Sequence, residues 1–267
     1  MPSIGRLRFL EALPAPQSAP QRGALVLLHA FPLSGRMWEG QLSLARHGWH
    51  VIAPNFRGVD GQDADPPTST LDDYAADIVD LLDGLGIEEA VIGGMSMGGY
   101  VAFTLLRRAP GYIRGLILAD TRSQADTPEG LEGRRRMLAL VTAKGADAVA
   151  DEMIPRLLGP TTRATKPQVV AHVRELIRAN STDAIAGGIR ALMSRPDVTS
   201  ALAAIRVPTL VVVGEEDAIT PPALAEDMRS KIPGAELVRI PLAGHLPNLE
   251  QPASFNAALT RFLEHRV

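Results

Sequence analysis

Apolar residues along this chain fall into two alternating patterns. Short apolar runs occur at Leu7-Arg8-Phe9-Leu10, Ala24–Leu28, Trp49–Ile52, Val91–Ile92, Ile113–Leu118, Val207–Val213 and Leu237–Ile240. Several are continuous, the pattern of parallel strands covered on both faces. Between them the spacing changes to that of helices. Thr70-Leu71-Asp72-Asp73 reads as a capping box, and Leu71, Tyr74, Ala75, Ile78, Val79 and Leu82 then fall on one stripe. Gly84 and Gly86 end that helix. Pro222–Lys231 and Pro252–Glu264 each open on proline, which suits a first helical turn. Pro14–Pro20 reads as a proline-rich surface loop. Strands alternating with helices predict an α/β fold around a mostly parallel sheet.

The alternation stops between Asp120 and about Asp197. No strand run occurs there, and the spacing predicts four helices near Pro128–Thr142, Ala146–Leu158, Lys166–Arg178 and Thr182–Ser194. Gly159-Pro160 and Asn180-Ser181-Thr182 punctuate them. Val169, Val170, Val173, Leu176 and Ile177 share one face. Strand patterning resumes at Val207.

Composition narrows the classes of function. The chain has 267 residues, is 46% hydrophobic and 21% charged, and carries a formal charge of −3. Those proportions belong to a globular protein, and the charge gives no electrostatic case for nucleic acid or an anionic membrane. Aromatic residues make up only 4%, which argues against base-stacking surfaces. With no cysteine, disulfides, thiol catalysis and thiolate metal sites are excluded. No signal-peptide pattern and no run near ~18 apolar residues is seen, so a cytoplasmic location is expected. Metal-ligand spacing such as H-E-x-x-H is missing, and neither a metal nor a cofactor is expected. Arg134-Arg135-Arg136 reads as a solvated helix face.

The chemistry concentrates at Gly94-Met95-Ser96-Met97-Gly98, between the apolar run Ala90–Gly93 and the helical pattern Gly99–Leu106. Strand, G-x-S-x-G, helix is the context of a nucleophile elbow: a tight turn lifts the serine hydroxyl to the end of the sheet. The helix that follows aims free N–H groups at the reaction site. A serine nucleophile needs a base and an orienting acid, and with such an elbow the acid comes next in the chain and the histidine last. Gly214-Glu215-Glu216-Asp217 follows the apolar run Thr209–Val213, and Gly244-His245 follows Glu236–Ile240. Sites in parallel sheets form beyond the carboxyl ends of strands, so these loops should meet at one edge. Rivals for the acid are Glu215, Glu216 and Asp120.

Taken with His29-Ala30-Phe31-Pro32 and Pro54-Asn55-Phe56-Arg57-Gly58-Val59-Asp60-Gly61, these segments make nearly the whole chain resemble the α/β-hydrolase superfamily. The likeness is to its small esterases, enol-lactone hydrolases and cofactor-free haloperoxidase-like enzymes. It implies a mostly parallel, eight-stranded twisted sheet with helices on both faces. Residues 1–120 and 198–267 would form the core, and 121–197 a helical cap. Ser96 would be the nucleophile, His245 the general base and Asp217 its orienting acid. The Phe31 and Met97 N–H groups would form the oxyanion hole, since Pro32 cannot donate. His29, of six histidines, would hold the oxyanion segment.

Ala30 stands where the family usually has glycine, and Asn55 and Asp60 depart from its arginine loop. A methyl group at Ala30 is expected to narrow the backbone and crowd the pocket floor. The implied activity is cleavage of small to medium carboxylic esters or lactones through an acyl-enzyme. Perhydrolysis by the same triad and a non-catalytic binding role are the alternatives. Oligomeric state is left open.

Overall fold

The computed structural model describes residues 1–14, 21–61 and 70–267. The proline-rich segment Pro14–Pro20 lies outside these beyond its first residue. Eight strands form one sheet: β1 (Ser3–Ile4), β2 (Leu7–Ala12), β3 (Gly23–Leu28), β4 (Trp49–Pro54), β5 (Ala90–Met95), β6 (Ile113–Ala119), β7 (Thr209–Gly214) and β8 (Glu236–Ile240). Their order is β1-β2-β4-β3-β5-β6-β7-β8. β1 and β2 pair antiparallel, as do β2 and β4, and every other pairing is parallel.

The continuous apolar runs are the central strands. Leu25, Val26, Leu27 and Leu28 of β3 are each fully buried. So are Val91 and Ile92 of β5 and Val211, Val212 and Val213 of β7. Each such side chain removed from water contributes roughly 2 kcal/mol. β8, at the edge, has only Ile240 fully covered.

Helix α1 (Leu71–Gly84) starts at the expected box: Asp73 N donates to Thr70 Oγ1 at 3.2 Å, and Thr70 N to Asp73 Oδ2 at 2.8 Å. Its buried stripe includes Leu81, while Val79 is only partly covered. α2 (Met97–Arg108) follows β5, and α7 (Pro222–Lys231) and α9 (Pro252–His265) flank β8, with a single turn, α8 (Pro247–Glu250), before α9.

β6 and β7 are joined by helices: α3 (Pro128–Leu157), α4 (Pro160–Thr165), α5 (Pro167–Arg178) and α6 (Thr182–Met193). α3 breaks at Gly145, where φ is +73°, so the two helices expected there meet at a kink. The elements that escaped the sequence pattern are β1, α4, α8 and the 3-10 helices Gly35–His47, Pro110–Tyr112 and Thr199–Ala204, all too brief or irregular for periodicity to register. No helix among the described residues is long and apolar enough to cross a membrane.

Candidate active site

The sheet changes direction beside β3. The connection from β3 goes to β4 on one side, and the chain returns to β5 on the other. A crevice opens at such a switch point beyond the carboxyl ends of the two strands. Leu28 pairs with Gly94 across it. Phe31 and Met97 each lie three residues beyond that pair, so their backbones flank the same crevice. Neither N–H has a hydrogen-bond partner among the described residues.

Ser96 occupies the junction of β5 and α2 with φ +52° and ψ −111°. A non-glycine residue held there stores of order 1–3 kcal/mol of strain. Ala119 O accepts the Ser96 N–H at 2.9 Å, and Thr121 Oγ1 donates to Ser96 O at 2.9 Å, fixing the turn against β6. The flanking glycines are there for close approach. A Cβ on Gly94 would lie 2.3 Å from the Gly98 carbonyl, and one on Gly98 would lie 2.2 Å from Leu28 O.

Asp217 and His245 are brought into direct contact on the loops after β7 and β8. Both are buried, and His245 Nδ1 donates to Asp217 Oδ2 at 2.8 Å. The same oxygen accepts Thr220 Oγ1 at 2.5 Å, while Oδ1 accepts the N–H groups of Ile219 (2.8 Å) and Thr220 (3.1 Å). Burial alone would raise the Asp217 pKa. The His245 charge and the hydrogen bonds from His245 and Thr220 outweigh it and hold the pKa down at about 2.

The rivals separate by environment. Glu215 is exposed. Glu216 accepts the N–H and hydroxyl of Thr161 and so anchors α4. Asp120 is buried with φ +43°; its Oδ1 accepts Gly214 N at 2.9 Å, and its Oδ2 has no partner. Burial, then the neighbouring Asp217 charge, raises its pKa well above the usual carboxylate range. Both causes favour its protonated form beside the ionised Asp217. Donor atoms of Asp120, Asp217 and His245 lie within 4.8 Å of one another, a grouping of metal-ligand type. Both Asp217 oxygens are already filled by N–H and O–H donors, an arrangement suited to orienting an imidazole rather than to ligating a cation.

His29 holds its loop, as its position implied. Its Nδ1 donates to Ala30 O at 3.0 Å, and Nε2 accepts Phe56 N at 3.1 Å. Full burial pushes its pKa down to about 4 against the pull of the Ala30 hydrogen bond, so the ring is neutral. Ala30 is not among the positive-φ residues, and its N–H reaches Met37 Sδ at 3.2 Å. The expected backbone restriction is thus not realised. Asn55 Oδ1 accepts Gly35 N at 2.7 Å, and Arg57 makes a two-pronged ion pair with Asp77 at 2.6 and 2.7 Å, so this loop is structural.

Three residues that sequence reasoning passed over shape the site. Glu250, fully buried, accepts the N–H groups of Gly244 and Leu246 on one oxygen and Gly159 on the other. It staples the His245 loop to the end of the helical segment. Asn180, also buried, donates to Pro32 O at 2.8 Å and accepts Asp60 N at 2.8 Å. Gly188 of α6 faces Phe31; a Cβ there would lie 2.9 Å from Phe31 Cδ2. Only an acid five residues after His245 and an asparagine at a helix junction hinted at the first two in the sequence. Arg134 corrects the expectation of a solvated Arg134–Arg136 face: its Nε binds the buried Asp126 at 3.2 Å, while Arg135 and Arg136 stay exposed.

Comparison with known proteins agrees with this architecture. A family model described as the alpha/beta hydrolase fold matches residues 23–252, and the chain belongs to that family. It is 37% identical to a thermophilic esterase from Thermogutta terrifontis solved with malate bound, with TM-score 0.91 over 97% of this chain and 93% of that one. An enol-lactonase structure from Burkholderia xenovorans LB400 is 25% identical, with TM-score 0.87 over 97% and 96%. The curated 3-oxoadipate enol-lactonase 2 of Acinetobacter baylyi is 26% identical over 89% of this chain and 87% of its own length. The protein is thus an enzyme of a hydrolase superfamily with esterase and enol-lactonase relatives.

Proposed function

We propose that the protein is a serine hydrolase that cleaves carboxylic esters or lactones of small to medium acyl groups. The observation that carries this is the buried His245–Asp217 hydrogen bond on the same sheet edge as the strained Ser96 turn. In this reading Ser96 Oγ attacks the carbonyl carbon while His245, through the ring nitrogen opposite Asp217, takes its proton. The oxyanion accepts hydrogen bonds from the Phe31 and Met97 N–H groups, each worth about 3 kcal/mol in the transition state. His245 returns the proton to the leaving alkoxide. Water then attacks the acyl-enzyme with the roles reversed and frees Ser96 and a carboxylic acid. Asp217 stays ionised throughout, consistent with its low pKa.

Residues 121–197 serve as the cap in this reading. A cavity beside Phe31 and Met97 is walled by Phe56, Val59 and Tyr74 and by Ala184, Ile185 and Gly188 of α6. The lining is apolar, but the space is of roughly single-water size, so an acyl group enters only once α6 shifts. The relatives named as esterase and enol-lactonase favour the same substrate class.

The test is covalent labelling with a serine-directed fluorophosphonate, read by peptide mass spectrometry, beside a panel of esters, lactones and enol-lactones. Modification of Ser96 with loss of all turnover is expected. Labelling elsewhere, or turnover that survives stoichiometric Ser96 modification, overturns the proposal.

A further inference from the structure

The helical segment leaves β6 and rejoins the sheet around a single carboxylate. Asp126, with its side chain 3% exposed, accepts Arg122 Nη2 at 2.5 Å, Arg195 Nη2 at 3.0 Å and Arg134 Nε at 3.2 Å. Beside it the exit strand is stitched to the entry: Val198 N donates to Ser123 O at 2.9 Å, and the Ser123 and Thr199 hydroxyls lie 2.9 Å apart. The other acid that interacts with Arg195 is Asp197, which is exposed and accepts Thr199 N at 2.8 Å. Among the described residues, Arg122, Arg134 and Arg195 face the carboxylates of Asp126 and Asp197, three cations to two anions.

Arg195 is the unusual member. Its side chain is 3% exposed, and its guanidinium carbon lies over the Tyr100 ring, 4.0 Å from the centroid. Burial lowers its pKa, and the like charges of Arg122 and Arg134 add to that. Of its nitrogens only Nη2 has a partner. Arg195 Nε and Nη1 and Arg122 Nε are buried with none. A guanidinium keeps its charge under any ordinary condition, so it cannot relieve this by losing a proton. Both arginines border a small gap with Tyr100, Phe103, Thr104, Ser123 and Pro196, and no acidic side chain among the described residues lines it. The gap is of roughly single-water size. A water would bring two hydrogens into a place already rich in donors. A monatomic anion only accepts, and it would cancel the excess charge.

We propose that the gap between Arg122 and Arg195 binds one small monovalent anion of chloride size, which completes the junction between the helical segment and the sheet. Excess positive charge among the described residues, unfilled buried donors and available space coincide there.

Bromide is the probe. Crystals of the full chain grown without halide and soaked in sodium bromide should give an anomalous peak within about 3.5 Å of Arg195 Nε or Nη1. In solution, chloride or bromide replacing gluconate at equal ionic strength should raise Tm saturably by about 3 °C. Arg195→Gln and Arg122→Gln should each lose that rise. If Arg195→Gln does not fold, the wild-type crystal, the titration and Arg122→Gln still decide. A water in the gap with no anomalous peak overturns the proposal, as does equal Tm in gluconate and halide. A peak without a saturable Tm rise marks an adventitious ion only and overturns it too, as does a rise that survives in Arg122→Gln.

Discussion

Asn180 Nδ2 donates to the carbonyl of Pro32 at 2.8 Å, tying the helical segment to the residue next to Phe31. The same side chain accepts the N–H of Asp60, whose φ of +58° it helps to hold. One buried amide thus sets two loops that lie far from it in the sequence. On the reading that Phe31 N–H serves the oxyanion, Asn180 is a positioning residue. Asn180→Ala should lower kcat about 10- to 100-fold with a smaller change in KM, because a donor displaced by an ångström stabilises the transition state poorly. Steady-state kinetics on one ester check this; a pure KM effect would place Asn180 in substrate binding instead.

On the reading that Ser96 is the nucleophile, one residue carries both the chemistry and the strain. Ser96→Ala should reduce kcat by about 10⁶-fold while the circular dichroism spectrum is unchanged. Ser96→Gly should be equally inactive but more stable than Ser96→Ala by about 1 kcal/mol in urea unfolding, since glycine accepts φ +52° without a Cβ clash. Equal stabilities would mean the turn is not strained.

The two buried aspartates should part company on amidation. Asp217→Asn loses the charge that orients His245, and about 10⁴-fold in kcat is expected. Burial and the Asp217 charge favour the protonated form of Asp120, and its Oδ1 accepts Gly214 N rather than His245, so Asp120→Asn should keep turnover within about 10-fold. Its stability should diverge from wild type with pH. A raised folded pKa makes the wild-type contribution greatest at low pH and loses it as pH climbs from near 4 towards that pKa. The Tm of Asp120→Asn relative to wild type should therefore increase over that range. A parallel pair of Tm curves would show Asp120 to be ionised in the folded protein.

Acid stability has two separate windows. His29 has its folded pKa lowered to about 4, so the unfolded chain gains a proton below the usual histidine value near 6.5 while the folded one does not. Stability should fall by about 3 kcal/mol between those pH values. Asp217, with its pKa lowered to about 2, holds its contribution above about pH 4 and loses it as pH falls through 2. Denaturant titrations of wild type and His29→Gln test the first window: the variant should show a flatter profile from pH 6.5 to 4.

Pocket shape should respond to α6 in opposite ways. Ile185→Ala enlarges the cavity beside Phe31 and should shift the preference towards longer acyl esters. Gly188→Ala places a methyl group 2.9 Å from the Phe31 ring and should lower turnover of every ester. If Ile185→Ala slowed all esters alike without reordering them, the helical segment would be a support rather than a determinant of specificity.

The sequence by itself determined the parts that depend on local order. Continuous short runs such as Leu25–Leu28, set between turn residues, have the pattern of covered strands, and the Thr70–Asp73 box marks the start of its helix from adjacent residues alone. The Gly94–Gly98 elbow is equally local, because its glycines answer contacts within the turn and with the adjoining strand. Tertiary structure decided whatever depends on distant chain segments meeting. Asp120, Glu216 and Asp217 are all acids just past the end of a strand; only their neighbours leave one with a raised pKa, one anchoring Thr161 and one paired with His245. Arg134 has the composition of a solvated face, yet a carboxylate eight positions earlier turns it inward. Asn180 and Glu250 are only faintly marked in the sequence, since Asn180 bonds the backbone of Pro32 and Glu250 joins its own loop to Gly159, ninety-one positions earlier. Periodicity reports which side of an element meets the core. Which particular atom a buried polar group meets is fixed only when the strands and loops have packed.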